Sequence, residues 1–422
     1  MDINELLKGF DCSCGKHHSC PIQYVYIENG AIAHLSEICA DYQKILVVSD
    51  ENTFGAAGKQ TLAALEGKAV ERVTFTGDKI LVPNEDAIAT VMQALDGHDL
   101  IVGIGSGVMQ DLCKYVAHES GVPYLVVATA PSMDGYASDG AAMITGGMKV
   151  TYKAGLPIAI VSDTAVLKEA PMEMIKAGYG DIIGKFSALN DWQLSHCVND
   201  EYFCGRIYDM TMEQVQHTLD LADGIAKRDE QSIGALMEAL VVIGILMSFA
   251  GSSRPASGSE HHLSHFFEIT GIVEGKEYFP HGIDVAYSTV ITARLREKLL
   301  AQEFPIKGYA HDAAAYKQEM ERVYGPVAEG NMKLQEKTGR YVQDRMGIYL
   351  EREHAVRTIL ERCPTGAQIE AMLAKVGLNI KEFYELYGQA HIDDAVTYAK
   401  DIKDRYTVLW MVYDFFGGCK NV

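Results

Sequence analysis

Between Ile22 and Thr151 short β-branched runs alternate with stretches of helical periodicity, and this alternation confines that part of the chain to βαβ units feeding a parallel sheet. Lys44–Asp50, Arg72–Phe75, Asp99–Ile104 and Tyr124–Ala128 read as strands, each followed by glycine or polar turn residues. Their apolar runs are continuous, which predicts burial on both faces of a doubly wound sheet. After about Gly178 the texture changes. Val215–Lys227, Ala235–Gly251, Ile283–Leu300, Ala313–Leu334 and Asp394–Tyr413 carry apolar residues at three- and four-residue spacing, the mark of helices. The prediction is an α/β dinucleotide-binding domain over 1–178 and an all-α domain over 179–422, a division that suits 422 residues. No long Gly/Ser linker separates the halves, so they are expected to share a cleft.

Composition excludes several classes of function. The chain is 48% hydrophobic and 22% charged, as a globular protein is, and no apolar run near the roughly 18–20 residues of a membrane span is evident. A formal net charge of −20 repels both a nucleic-acid backbone and an anionic membrane, so neither is an expected partner. Met1 to Phe10 carries acids and no apolar core of a secretory signal, so a cytoplasmic location is expected. The 9 cysteines are irregularly spaced, which fits reduced thiols better than a disulfide framework. Cys12, Cys14, His17, His18 and Cys20 are dense enough to suggest a metal or redox site. Without a C-x-x-C pair, and with Gly15 and Lys16 between thiols and imidazoles, a turn is the preferred reading.

The chemistry-bearing residues fall in three groups. Gly103-Ile-Gly-Ser-Gly107 follows a buried strand and precedes Asp111 and Lys114 in a helical stretch, so its backbone amides at a helix start can cradle a pyrophosphate. It departs from G-x-G-x-x-G, and a tight strand-to-helix turn explains it equally well. Asp50 ends an earlier strand, where a carboxylate either binds an adenosine ribose or caps the next helix. Thr129, Ser132, Asp134 and Ser138 line the loop after the fourth strand, on the side where parallel sheets bind ligands. In the helical half, Asp181 opens one helix, His261, His262 and His265 lie in another, and His281 follows Pro280. A carboxylate with two imidazoles makes an open site for a divalent metal. His262 and His265, three apart, lie on one helix face, so either or both could ligate, or one could relay protons. Lys149, Lys185 and Arg254 are the cations available for a substrate phosphate, Arg254 through its bidentate fork.

Gly103–Gly107 with Asp111 and Lys114, Thr129-Ala-Pro-Ser-Met-Asp-Gly135, Ala177-Gly-Tyr-Gly-Asp181 with Lys185, Ser253-Arg-Pro-Ala-Ser-Gly-Ser-Glu-His-His-Leu-Ser-His265 and His281-Gly282 together resemble the sn-glycerol-1-phosphate dehydrogenase family, in particular its bacterial AraM-type branch. The resemblance runs from about Ile22 into the helices past His281. The S-R-P-A-S-G-x-E-H-H block is specific to that family, whereas the metal triad is shared with glycerol dehydrogenases and loosely with dehydroquinate synthases. It implies a dehydroquinate synthase-like fold, with an N-terminal Rossmann-like domain and a C-terminal helical domain.

The resemblance also implies roles. Asp181, His262 and His281 become the metal ligands, with His265 beside the metal as proton relay and Asp134 as a substrate contact. Gly105, Ser106, Gly107 and Asp111 become the pyrophosphate turn, Asp50 the ribose acid, and Thr129, Ser132 and Ser138 the hydroxyls near a nicotinamide. NAD(H) or NADP(H) and one divalent metal are the implied cofactors, zinc first, with nickel or iron as alternatives. Reduction of dihydroxyacetone phosphate to sn-glycerol 1-phosphate by a homodimer or other homo-oligomer follows. The rivals are a glycerol dehydrogenase acting on an unphosphorylated polyol, a dehydroquinate synthase-like lyase with no net NADH consumption, and a binding protein that has lost its chemistry. The Cys/His-rich N-terminus and the tail beyond about Cys363 lie outside these motifs.

Overall fold

The computed structural model describes residues 2–77, 81–146 and 148–418, the side chains of 148 and 149 excepted. The chain forms two compact units, Met1–Tyr179 with Gln216–Ser252, and Gly180–Val215 with Ser253–Val422. The segment 216–252 therefore departs from the expected two-part division. Its helix Glu230–Ala250 is apolar on nearly all sides and buries most of its residues, so it must be enclosed rather than laid on a surface. It is also long and apolar enough to span a membrane, contrary to the expectation that no such run exists, yet most of it is buried within the protein.

The described residues of the first unit form ten strands: β1 (Phe10–Asp11), β2 (His17–His18), β3 (Tyr24–Glu28), β4 (Lys44–Asp50), β5 (Ala69–Phe75), β6 (Leu100–Gly105), β7 (Tyr124–Ala128), β8 (Gly140–Thr145), β9 (Met148–Lys153) and β10 (Ala159–Asp163). Six form one parallel sheet in the order β3-β10-β7-β6-β4-β5. Of the expected runs, those that form β6 and β7 are buried at every residue, as is β10, which was not among them, whereas β5, an edge strand, has no fully buried residue. On one face Ile45, Val47, Val102, Val127 and Val161 pack under Ala31, Ile32 and Leu35, each fully buried aliphatic contributing about 1.5–3 kcal/mol. β4 and β5 run toward one edge, after which the chain returns to place β6 on the other side of β4. The order thus switches between β4 and β6, the place where open α/β sheets bind ligands. β1/β2 and β8/β9 form separate antiparallel pairs.

The described part of the second unit is helical. Helix Met172–Asn199 enters it at Gly180, and Ser259–Glu274 and His281–Leu300 pack against each other at its centre. A Cβ on Gly180 would collide with the Gly282 carbonyl and lie 2.7 Å from Ala286 Cβ. Only a glycine lets these two helices approach so closely, and that approach delivers Asp181 to His281. Beyond Cys363 the chain forms helices Gly366–Ala374, Ile380–Tyr398 and Val408–Phe416.

Candidate active site

In the first unit the glycine turn sits at the sheet's switch point. β6 ends in Gly105, where a Cβ would stand 2.6 Å from Met109 Cβ, so the turn requires the missing side chain. Ser106 is the N-cap of helix Gly107–Ser120 but makes no side-chain cap hydrogen bond, so the first-turn amides are not taken up by a capping side chain. Such amides, at the positive end of a helix dipole, suit a phosphate. The Thr129 amide donates to Gly105 O at 3.3 Å, which ties the following loop to this turn.

That loop is held from within. Buried Lys114 donates to Gly135 O and Gly140 O, both at 2.9 Å, and stands 3.7 Å from Asp111. Burial lowers the Lys114 pKa, with Asp111 and Asp139 opposing the shift. Asp111 is therefore placed as a partner of Lys114, a role that the expected contact with a cofactor did not include. Tyr136 donates to Ala130 O at 2.6 Å, and Ser138 Oγ donates to Gly135 O at 3.0 Å. Asp134 is buried at the start of the short Gly135–Ala137 turn. Asp50 caps helix Glu51–Thr53 in a capping box, its Oδ1 accepting from the Thr53 amide at 2.8 Å, which realises the simpler of its two readings.

The second unit contains the metal-type cluster. Donor atoms of Asp181, His261 and His281 all lie within 4.8 Å of one another, and those of His265, Glu268 and His281 do so as well. Asp181 Oδ1 stands 3.6 Å from His261 Nε2 and accepts from Lys185 Nζ at 2.7 Å. Burial pushes the Asp181 carboxyl up, but Lys185, His261 and His281 more than offset it and bring it down to about 2. His261 Nδ1 meets Glu260 Oε1 at 2.7 Å, the kind of carboxylate–histidine contact that orients a ligating ring. Burial raises the Glu260 carboxyl, while His261 and the Gly258 amide bring its pKa below the usual value. Ser264 Oγ lies 3.3 Å from His281 Nδ1. His265 is 5.3 Å from His281 between ring centroids and 3.8 Å from Glu268 Oε2.

Three expected assignments change. His262 does not join Asp181 and His281; its ring is buried, and neither nitrogen has a hydrogen-bond partner among the described residues. Consecutive helix residues point about 100° apart, so only one of His261 and His262 can face Asp181. His261 and His265, four apart, differ by only about 40° and share that face. The i, i+4 spacing was the available signal for His261. Arg254 is not poised for a phosphate: its guanidinium is bound bidentately by Glu201 and donates to Tyr406 O at 2.8 Å. Lys185 is likewise committed, to Asp181 and to Ala256 O at 3.2 Å. The Lys149 side chain lies outside the described residues.

The chain has relatives among known proteins in sequence and in fold. Residues 26–171 fit the iron-containing alcohol dehydrogenase family model. The glycerol-1-phosphate dehydrogenase [NAD(P)+] of Halalkalibacterium halodurans is 30% identical over 421 residues, covering 97% of this chain and 98% of that protein. Its counterpart from Geobacillus stearothermophilus is 31% identical over 375 residues, 87% and 86% of the two chains. An archaeal halo-thermophilic Red Sea brine pool alcohol dehydrogenase shares the fold, with a TM-score of 0.64 at 13% identity over 96% of this chain and 99% of that one. A maleylacetate reductase from a Rhizobium strain does so with a TM-score of 0.60 at 15% identity, over 94% and 97%. With identity sustained over nearly the whole length of such relatives, the chain belongs to the glycerol-1-phosphate dehydrogenase family and is an NAD(P)-linked alcohol dehydrogenase.

Proposed function

We propose that this chain catalyses the reversible reduction of dihydroxyacetone phosphate to sn-glycerol 1-phosphate with NADH or NADPH. The observation that carries the proposal is the convergence of Asp181, His261 and His281, a carboxylate and two imidazoles within 4.8 Å. Relatives named glycerol-1-phosphate dehydrogenase [NAD(P)+] support the choice of substrate.

The donor set fits a divalent metal, since one oxygen and two nitrogens leave positions open for a substrate oxygen. When bound, such an ion supplies Lewis acidity at the C2 carbonyl oxygen, and a nicotinamide supplies hydride to C2. The chain's own residues do the rest. Asp181 and His261 are held in place by Lys185 and Glu260. His265, backed by Glu268 at 3.8 Å, holds the proton that the C2 oxygen takes up as hydride adds. The Gly105–Ser106–Gly107 turn and the amides of the following helix bind the cofactor pyrophosphate, with Thr129, Ser132 and Ser138 toward the nicotinamide. Asp134 contacts the substrate.

A spectrophotometric NADH assay on metal-reconstituted protein tests this, with dihydroxyacetone phosphate, dihydroxyacetone and no ketone as the three arms. Oxidation with the phosphorylated ketone alone is expected. Equal rates with both ketones would give the site to an unphosphorylated polyol, and no oxidation with either would favour a lyase.

A further inference from the structure

The N-terminal hairpin contains a second set of metal donors that the reaction does not use. β1 and β2 pair through Phe10↔His18 and Asp11↔His17. The turn between them is closed by two backbone bonds, Cys12 N to Lys16 O at 3.0 Å and Gly15 N to Cys12 O at 2.9 Å. Gly15 adopts φ +86°, a left-handed conformation that lets the chain reverse at once. That reversal brings Cys12 Sγ, Cys14 Sγ and a His18 ring nitrogen within 4.8 Å of one another, with Cys14 Sγ 3.4 Å from His18 Nε2. The described cysteines are thiols rather than disulfides.

The imidazole is oriented as a ligand. Its Nδ1 meets Phe249 O at 3.0 Å, which assigns the proton to Nδ1 and leaves Nε2 a lone pair directed to the thiols. Phe249 also stacks on the ring at 5.7 Å and Phe10 meets it edge-on at 5.2 Å, so the side chain is fixed on both flanks. A buried imidazole with one nitrogen anchored to a carbonyl and the other facing two thiols is the arrangement of a structural metal ligand. A simple turn does not require it.

We infer that Cys12, Cys14 and His18 bind a structural zinc ion, separate from the Asp181, His261 and His281 cluster, that clasps the N-terminal hairpin to the end of helix Glu230–Ala250. Two sulfurs and one imidazole select a soft, tetrahedral ion, and one position remains for a further donor. Binding ionises both thiols and releases their protons to solvent. The clasp links residues far apart in sequence, His18 and Phe249, which backbone pairing alone does not join.

The test uses full-length protein stripped of metal and reloaded with cobalt(II). The expected result is thiolate-to-cobalt charge-transfer absorption in the near ultraviolet, which the oxygen and nitrogen donors around Asp181 do not produce. Asp181→Asn and Cys197→Ser retain this absorption, and Cys12→Ser combined with Cys14→Ser abolishes it. Zinc content of the same double variant falls by one ion per chain. Absence of the band from the unmodified protein, which needs no variant to fold, overturns the proposal, as does its survival in the double variant. The band reports on sulfur ligation alone, so its outcome is independent of whether the ketone assay succeeds.

Discussion

Lys185 Nζ lies 2.7 Å from Asp181 Oδ1, and both side chains are almost wholly removed from solvent. In the metal-free protein the ammonium is the nearest counter-charge to a carboxylate that also faces two imidazoles. Removing one partner of a buried pair typically costs about 3–5 kcal/mol, because the other charge is stranded. Lys185→Met should therefore lower the melting temperature strongly in chelator. Added divalent metal should restore more stability to the variant than to the parent, as thermal melts with and without metal would show. An equal gain in both would mean that Lys185 does not balance Asp181.

The placement of His261 beside Asp181 predicts opposite results at adjacent positions. His261→Ala should lose stoichiometric metal and at least about 100-fold in activity, since Lewis-acid assistance is worth several kcal/mol. His262→Ala should keep its metal and lose at most the roughly 2–5 kcal/mol of an emptied buried site. Glu260→Gln, which weakens the hold on His261 Nδ1, should reduce metal affinity about 10–100-fold. Metal analysis after dialysis reads all three, and metal loss in His262→Ala with retention in His261→Ala would reverse the assignment.

At Gly180 even one methyl meets the Gly282 carbonyl and Ala286. Gly180→Ala should cost about 1–3 kcal/mol through overpacking, and Gly180→Val more. Because the strain falls between the helices carrying Asp181 and His281, metal affinity should fall along with the denaturation midpoint. Loss of stability with unchanged metal affinity would refute the link between that close approach and the site.

Arg254 bound to Glu201, Ser195 and Tyr406 O is a scaffold residue in this structure. Arg254→Ala should destabilise the protein by about 1.5–3 kcal/mol, the range for hydrogen bonds to charged groups. KM for the phosphorylated ketone should stay close to that of the parent. A tenfold or larger rise in KM with an unchanged melting temperature would return Arg254 to the substrate phosphate.

His391 predicts a pH dependence away from the metal cluster. Its ring sits among Phe266, Phe267 and Tyr387 and lies 3.0 Å from Thr270 Oγ1. Burial disfavours the imidazolium and lowers the pKa below the ordinary 6.5, with Glu274 and Asp394 opposing. The unfolded chain therefore takes up this proton first as pH falls. The contribution is fully present above 6.5 and is lost below it, at no more than about 1.4 kcal/mol per pH unit for one group. Urea midpoints between pH 7.5 and 5.5 should fall less steeply for His391→Gln, and identical slopes would exclude the effect.

The strands were legible because their cause is local in sequence. Lys44–Asp50 and Tyr124–Ala128 are continuous apolar runs bounded by turn residues, and both are strands of the parallel sheet. β3 and β10 of the parallel sheet, β8, β9 and the small β1–β2 pair were not, since short strands and two-strand ladders lack a long apolar run and depend on what covers them. Helix Glu230–Ala250 shows the same limit from the other side. Its helical periodicity was visible over Ala235–Gly251, but its apolar character on nearly all sides was not recognised, and its membership of the first unit rests on packing with residues more than a hundred positions away.

The site divides in the same way. Sequence alone determined the residue types and the strand-to-helix glycine turn, and it singled out Asp181 and His281, which the fold brings together, because motifs record chemistry. Spacing left His261 and His262 open and the resemblance was carried over to His262, whereas the structure groups His261 with Asp181 and His281; the two differ by about 100° of helix rotation that only the packing partner resolves. Nor could sequence tell that Arg254 and Lys185 were already held by Glu201 and Asp181. A charge's availability depends on its neighbours in space, and tertiary structure alone decides who those neighbours are.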